Sequence, residues 1–295
     1  MTRPADTSNW GIAFMVAAMI VLPFGDALSK LLVQKFPPEQ ITWMRNLFHF
    51  GLLLPVIGAQ RKSFDFKELL QPFQVTRGLC FVAMTVSYVA ALIWMPLTDA
   101  LAIVFLFPLI VTGLSWLALG EHVRSLHWGA VVLGFGGALL VIQPGIGTPN
   151  IGWLFALFAA FCTAIYVVLT RKMSHGSSSL LLLVGPAAIG SLILAPVMLV
   201  RWVQPTLWEL FLMASVGGLA ALTHFLIILA YARAAASIVA PFSYVQILGA
   251  TALGALMFQN IPDAVTVLGL GIIVASGLLV SLSKQGGEPH SFSIK

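Results

Sequence analysis

The chain has 295 residues, of which 59% are hydrophobic and only 8% are charged, and its mean hydropathy is +0.99. A soluble domain carries about 25% charged residues, because a water-soluble fold needs a polar shell. The composition therefore excludes a secreted disulfide scaffold, a disordered chain and, despite the net charge of +5, a nucleic-acid-binding protein. Cys80 and Cys162 lie in apolar stretches and are expected to be free thiols.

Ten apolar stretches follow one another along the chain, each close to the roughly 20 residues that a helix needs to cross the hydrocarbon core of a bilayer. They are 10–33, 41–59, 74–95, 98–119, 126–143, 151–170, 180–201, 209–230, 236–258 and 264–283. The connecting segments are short, so no soluble domain fits between the stretches. The sequence therefore predicts an all-α integral membrane protein with ten transmembrane helices and short tails at 1–9 and 284–295.

The basic residues predict the orientation in the membrane, because cytoplasmic segments carry an excess of Lys and Arg. With the N-terminus inside, eleven of the 15 basic residues lie in inner segments, Lys35 and Arg201 lie outside, and Lys30 and Arg45 lie within spans. Those assigned to the inside are Arg3, Arg61, Lys62, Lys67, Arg77, Arg124, Arg171, Lys172, Arg233, Lys284 and Lys295. Both termini are therefore predicted to be cytoplasmic.

The two halves of the chain resemble each other. Shifted by 141 residues, Gly11 aligns with Gly152 and Pro55 with Pro196, and the fourth and fifth spans align with the ninth and tenth at shifts of 138 and 140. The chain is thus expected to hold two five-helix repeats, at 10–143 and 151–283. Because five is odd, the second repeat must be inverted in the membrane, a recurrent plan of secondary transporters with the solute site between the repeats.

These features resemble the ten-span EamA type of the drug/metabolite transporter superfamily, over residues 10 to 283. The resemblance rests on the duplicated five-helix plan, on Gly120-Glu121 after the fourth span, and on the glycine-rich helix that follows. It implies a transporter in a bacterial inner membrane, in a family whose members handle amino acids, S-adenosylmethionine-like compounds and riboflavin. The second repeat departs from the pattern, since Gln259 stands where the first has Glu121.

Ionisable side chains within a membrane span are costly and are candidates for function. Asp26 and Lys30 are four residues apart on one face of the first span and are expected to pair, while Arg45 and His49 form one face of the second span at similar depth. The cluster reads either as a gate or solute anchor, or as a structural ion pair with Lys30 extending to the interface.

Polar and aromatic side chains in mid-span form the second set of candidates, because their polar tips should face the bundle interior. Those that could line a cavity or contact a solute are Trp43, Tyr88, Tyr166, His224, Tyr244 and Gln246. His224 reads equally as a hydrogen-bonded core residue. Few buried charges and many aromatic rings favour a neutral or zwitterionic aromatic solute such as riboflavin, an aromatic amino acid or an S-adenosylmethionine-like compound.

No phosphate-binding loop, zinc-protease motif or nucleophile elbow occurs, so no ATP hydrolysis, metal or cofactor is expected. The leading hypothesis is a secondary transporter that works by alternating access, with the bilayer and a small-molecule solute as its partners. The alternatives are an intramembrane enzyme that uses Asp26, Arg45 and His49 on a lipid or isoprenoid, and a passive channel. The sequence leaves open whether the protein is a monomer or a homodimer.

Overall fold

A computed structural model describes residues 5–59, 69–119, 125–143, 150–173, 179–234 and 240–283 of the chain. Within these ranges every regular element is a helix. Those of the first half are α1 (Ala5–Leu32), α2 (Pro38–Ala59), α3 (Pro72–Trp94), α4 (Leu97–Val104), α5 (Phe107–Leu119) and α6 (Ser125–Ile142). Those of the second half are α7 (Gly152–Met173), α8 (Ser179–Arg201), α9 (Leu207–Arg233), a 3₁₀ helix (Ala240–Tyr244), α10 (Val245–Phe258) and α11 (Ala264–Ser283).

The helices have the length and composition of membrane spans. Among the described residues, the segments both long and apolar enough to cross a bilayer are Asn9–Leu32, Pro72–Trp94, Gly152–Thr170, Leu181–Arg201 and Leu207–Ala230. Shorter apolar helical segments cover Leu97–Val111, Trp128–Ile142, Phe242–Phe258 and Ala264–Leu279. Large apolar side chains remain exposed on the outer surface, as lipid contact requires. The prediction of a multi-pass, all-helical membrane protein is confirmed.

Two of the predicted spans are interrupted, and the interruptions lie at equivalent positions of the two repeats. The fourth span breaks after α4 and resumes as α5 at Phe107, and the described part of the ninth starts with a 3₁₀ helix and continues as α10 at Val245. Phe107 and Val245 are 138 residues apart, the offset at which the sequence aligns these spans. Interrupted helices at corresponding positions are typical of solute sites in transporters built from inverted repeats.

The packing of the helices is symmetric between the repeats. α1 packs along α9, the equivalent α7 packs along α3, and α6 packs on its counterpart α11. The repeats also run in opposite directions: the start of α7 at Gly152 lies against the end of α3, and Val203, after α8, hydrogen-bonds to Gln40 near the start of α2. This arrangement agrees with the predicted inverted duplication.

The bundle has two ends, which we name by one residue each. The Gln40 end holds the end of α1 and the start of α2; the Arg77 end holds the start of α3 and the start of α8. Ion pairs join the repeats at the Gln40 end, from Lys35 to Glu209 at 2.6 Å and from Arg201 to Glu39 at 2.8 Å.

Some residues lie elsewhere in the structure than the sequence predicts, and others lie outside the described residues. Arg77, assigned to an inner segment, lies within α3 and is only 1% exposed. The fourth span, predicted from residue 98, begins as α4 at Leu97, and Pro96 occupies its cap position without a side-chain hydrogen bond. Features outside the described residues are Gly120, Glu121, Arg3, Arg61, Lys62, Lys67, Arg124, Lys284 and Lys295.

Candidate functional site

A cavity of about 230 Å³ lies at the centre of the bundle, between the two repeats. α1 to α5 of the first repeat and α7, α9 and α10 of the second contribute its walls. Its polar and charged lining residues are Asp26, Ser29, Arg45, Thr85, Tyr88, Thr163 and Gln246. The remaining lining side chains are apolar or aromatic, so the cavity has a few polar groups on a largely apolar wall, as small-molecule sites do.

Of the ten candidates from the sequence, four line this cavity: Asp26, Arg45, Tyr88 and Gln246. Asp26 of α1 accepts a hydrogen bond from Nε2 of Gln246 at 3.1 Å, which joins one repeat to the other inside the cavity wall. Asp26 and Arg45 carry opposite charges and interact electrostatically, yet the two ion pairs found within the described ranges lie elsewhere.

The polar wall of the cavity has one paired and one unpaired part, since the Tyr88 hydroxyl interacts with the Asp26 carboxylate. Nη1 of Arg45 is buried and has no hydrogen-bond partner in the part of the chain that the structure describes. The Arg45 guanidinium is supported from one side by the Phe81 ring, 5.4 Å from its centroid. A buried donor left without a partner costs free energy, so Arg45 favours a ligand that supplies an acceptor.

Two phenylalanines of the cavity wall were not selected from the sequence. Phe105 and Phe107 flank the break between α4 and α5, and both line the cavity. In sequence they are two among many phenylalanines of apolar spans. The helix break turns them towards the centre, and nothing in the sequence signals that break strongly apart from Pro108.

Lys30 does not pair with Asp26. Its Nζ donates to the carbonyl oxygens of Met95 at 2.7 Å and Leu92 at 3.3 Å, and lies 5.4 Å from the centroid of the Phe258 ring. The free carbonyl groups at a helix C-terminus favour a cation, so Lys30 stabilises the end of α3. The predicted pairing of Asp26 with Lys30 is therefore wrong, and Lys30 lies outside the cavity wall.

His49 and His224 face each other beside the cavity instead of lining it. Their ring centroids are 5.1 Å apart, and Nδ1 of His224 lies 2.8 Å from the carbonyl oxygen of Ala220, which itself lines the cavity. Both nitrogens of His49 are buried without a partner among the described residues. This pair joins α2 to α9 directly behind Arg45.

Tyr166 belongs to a polar network around Arg77, a residue that the sequence analysis did not select. Arg77 donates to Oε1 of Gln74 at 2.9 Å, to the hydroxyl of Tyr166 at 3.4 Å and to the carbonyl oxygen of Leu182. Its guanidinium also stacks 5.2 Å from the Tyr166 ring centroid. The network ties α3 of the first repeat to α7 and α8 of the second.

Trp43 and Tyr244 also hold the repeats in place outside the cavity wall. Nε1 of Trp43 donates to the carbonyl oxygen of Ser191 on α8 at 2.9 Å. The Tyr244 ring lies 5.1 Å from that of Phe105 and occupies the space beside Gly277, where no side chain could fit. Tyr244 thus supports an aromatic residue of the cavity from behind.

The described residues contain no group of three or more His, Cys, Asp or Glu side chains that could hold a metal ion. The cavity holds a carboxylate, an arginine, an amide and a phenol, a set suited to binding by charge and hydrogen bonds. Cys80 and Cys162 are free thiols in the structure.

Comparison with known proteins agrees with this architecture. The chain is 25% identical to the S-adenosylmethionine uptake transporter of Rickettsia bellii, covering 97% of this chain and 98% of that protein. It is 27% identical to the pseudopaline exporter of Pseudomonas aeruginosa (95% and 99% covered) and 32% identical to the riboflavin transporter of Vibrio cholerae (78% and 79% covered).

A solved crystal structure of 18% sequence identity superposes with a TM-score of 0.66 and covers 96% of this chain and 99% of its own, which shows a shared fold. The family match occurs twice, over residues 9–143 and 150–282, and therefore accounts for both repeats. A duplicated match over nearly the whole chain decides against the intramembrane enzyme, and the chain belongs to the EamA-like transporter family.

Proposed function

We propose that this protein is a secondary transporter that carries a small aromatic metabolite, neutral or zwitterionic, across the bacterial inner membrane by alternating access. The observation that supports this most is the central cavity, which is lined by both repeats. Asp26, Arg45 and several aromatic rings line this one cavity together. Two inverted repeats can exchange conformations of similar energy and so expose one site to either side in turn. The cavity is complete within one chain, so the proposal needs no second copy.

The charges of the cavity suit a zwitterion. Arg45 offers Nη1 to a carboxylate, and Asp26, whose second oxygen is not used by Gln246, offers an acceptor to an ammonium group. Phe105, Phe107 and Tyr88 provide faces for an aromatic ring. The cavity of about 230 Å³ is slightly smaller than the ~300–1,000 Å³ of ordinary ligand pockets. This size favours a solute like an aromatic amino acid over riboflavin or an S-adenosylmethionine-like compound.

The relatives support transport of a small organic metabolite but not one substrate. Their names give S-adenosylmethionine, pseudopaline and riboflavin as solutes, and both uptake and export as directions. All three relatives are less than a third identical to this chain, so the side chains of the cavity decide its own preference.

The first test is a thermal-shift screen of the detergent-purified protein with aromatic amino acids, other amino acids, riboflavin, nucleosides and S-adenosylmethionine. A ligand at 100 times its dissociation constant stabilises the protein by about 2.7 kcal/mol. We expect the largest shift from an aromatic amino acid. The second measurement is counterflow of that compound in proteoliposomes, which we also expect to observe. Flux without saturation or counterflow would instead favour the passive channel.

Two variants connect the transport to the cavity. Arg45→Gln and Asp26→Asn should each abolish the thermal shift and the counterflow, because each removes one charge that the zwitterion needs. The matched controls are Arg233→Gln, which also removes a guanidinium above a phenylalanine ring, and Asp263→Asn at the Gln40 end. Well-folded cavity variants that transport like the controls would show that the solute binds elsewhere.

A further inference from the structure

One face of α2 carries a row of polar side chains that runs out of the central cavity. Thr42, Asn46 and His49 are only 0–1% exposed, and Arg45 lies among them at the cavity wall. Their spacing of three and four residues puts them on one side of the helix. His224 of α9 faces this side, through the contact of its ring with that of His49.

These groups are buried but not satisfied. The atoms without a hydrogen-bond partner among the described residues include the Thr42 hydroxyl, both amide atoms of Asn46 and both ring nitrogens of His49, besides Nη1 of Arg45. Native proteins pair the large majority of their buried polar atoms. So many unpaired atoms on one interface single it out from the rest of the bundle.

The energetic consequence is that this contact is poised to open. Each buried polar group without a partner costs about 1–3 kcal/mol, which water would return if it entered. An ordinary structural contact between membrane helices carries small residues, or polar side chains that hydrogen-bond across it. The closed form of this interface is held by packing and by the bond from Trp43 to Ser191, against the hydration of its unpaired polar groups.

Two glycines provide that packing. A side chain at Gly190 of α8 would come within 2.4 Å of Nδ2 of Asn46, and one at Gly217 of α9 within 2.5 Å of Cβ of Phe48 and 2.9 Å of the Arg45 carbonyl oxygen. The backbones of α8 and α9 therefore press directly against the polar face of α2. No hydrogen bond from either glycine holds α2 there.

We propose that this interface of α2 with α8 and α9 is a gated aqueous route out of the central cavity, closed by packing in the present conformation and open to water in another. Thr42, Asn46, His49 and His224 line the route and receive water and the polar part of the passing solute when it opens. Gly190 and Gly217 form its seal. The inference rests on the proposed function, since the route serves transport only if the cavity holds the solute.

The test measures access of water to the route and needs no solute. A cysteine-free protein (Cys80→Ser, Cys162→Ala) receives Asn46→Cys or His224→Cys and is exposed in proteoliposomes to 2-sulfonatoethyl methanethiosulfonate, a membrane-impermeant anion that Arg45 should attract. Met44→Cys and Met213→Cys are the controls, because both residues are buried on the same helices within the apolar core. An open form populated at roughly 0.1–10% is enough for labelling over minutes.

We expect labelling of both route positions and none of the controls. Equal labelling of route and control positions, or none of either, would overturn the proposal.

A second comparison keeps the test valid where an introduced cysteine itself perturbs the fold. With the Asn46→Cys reporter, Gly217→Ala should speed labelling because the added methyl group holds the seal apart, whereas Gly51→Ala on α2, which meets nothing within 4 Å, should not.

The two proposals fail separately. Labelling of the route without counterflow of any tested solute would leave the route intact and refute the proposed substrate class. Counterflow without labelling, with Gly217→Ala and Gly51→Ala indistinguishable, would leave transport intact and refute the route.

Discussion

A single buried side chain, Arg77, links the two repeats at one end of the bundle. It is among the largest fully buried side chains of the described chain and reaches three partners on three helices. Such an arginine stabilises mainly because its removal leaves its partners unpaired in an apolar environment. The sequence analysis placed it near the inner surface, because a cation close to the end of a span ordinarily reaches water.

Arg77→Ala should lower the apparent unfolding temperature clearly, since the truncation leaves Gln74 and the Leu182 carbonyl unpaired at a cost of about 1–3 kcal/mol each. Arg201→Ala is the control, because the Arg201 side chain is 57% exposed and pairs with Glu39 at the surface, where such pairs contribute roughly 0–1 kcal/mol. Thermal unfolding in detergent compares the two. Equal losses would mean that the buried network contributes no more than a surface pair.

Tyr244 is expected to act on the solute through Phe105 and is therefore a positioning residue. Tyr244→Ala should raise the KM of solute counterflow by about 2- to 10-fold, the equivalent of one lost aromatic contact of ~0.5–1.5 kcal/mol. Tyr244→Phe keeps the ring against Phe105 and should restore the KM. A KM that does not change in the alanine variant would remove Tyr244 from the support of the cavity.

Among the helices, the interrupted spans and the glycine contacts decide how the repeats fit together. The breaks before Phe107 and Val245 place Phe105 and Gln246 at the cavity, one from each repeat. α6 and α11 cross where Gly137 and Gly269 face each other, and a side chain on either would meet the other's carbonyl oxygen at 2.9 and 2.6 Å. Close backbone approach of this kind holds membrane helices together by dispersion.

Gly269→Ala should therefore weaken the pairing of α6 with α11, because overpacking costs about 1–3 kcal/mol. Gly271→Ala, two residues along the same helix, meets nothing within 4 Å and should leave the unfolding temperature unchanged. Thermal unfolding of the two variants in one detergent makes the comparison. A stable Gly269→Ala protein would contradict the close crossing of these helices.

At the scale of the whole molecule, the repeats are joined at both ends, and the proposed alternating access requires the release of one set of contacts at a time. At the Gln40 end, Gln40 and Val203 exchange two hydrogen bonds of 2.7 and 2.9 Å, beside the ion pairs of Lys35 and Arg201. At the Arg77 end, the hydrogen bonds of Arg77 join the two repeats in the same way. Alternating access predicts that permanent closure of one end stops turnover.

Gln40→Cys with Val203→Cys in the cysteine-free protein should form a disulfide and abolish counterflow, and a reducing agent should restore it. Each single variant serves as the control. Full counterflow in the oxidised, cross-linked protein would show that the repeats need not separate at this end.

The orientation of the bundle is a further prediction at this scale. Reporter fusions at the C-terminus, one active only in the cytoplasm and one only outside, should place it inside. Activity of the external reporter alone would contradict the distribution of Lys and Arg.

How well the sequence predicts the place of a residue depends on the kind of side chain. Asp26, Arg45, Tyr88 and Gln246 were selected as buried polar groups and share one cavity. Lys30 was selected for the same reason but donates hydrogen bonds to the carbonyl groups of α3. Phe105 and Phe107 could not be selected, because apolar residues in apolar spans carry no signal of their direction.

The sequence by itself determined that the chain lies in a membrane, that it is duplicated and that it belongs to the family of its two matches, because hydropathy and similarity are read along the chain without knowledge of contacts. Only the tertiary structure decided which polar groups meet. The rotation and crossing of each helix direct its side chains, and a difference of one turn separates Asp26 in the cavity from Lys30 at the helix end. The unpaired polar face of α2 has the same origin, since burial without a partner depends on the helices that close over it.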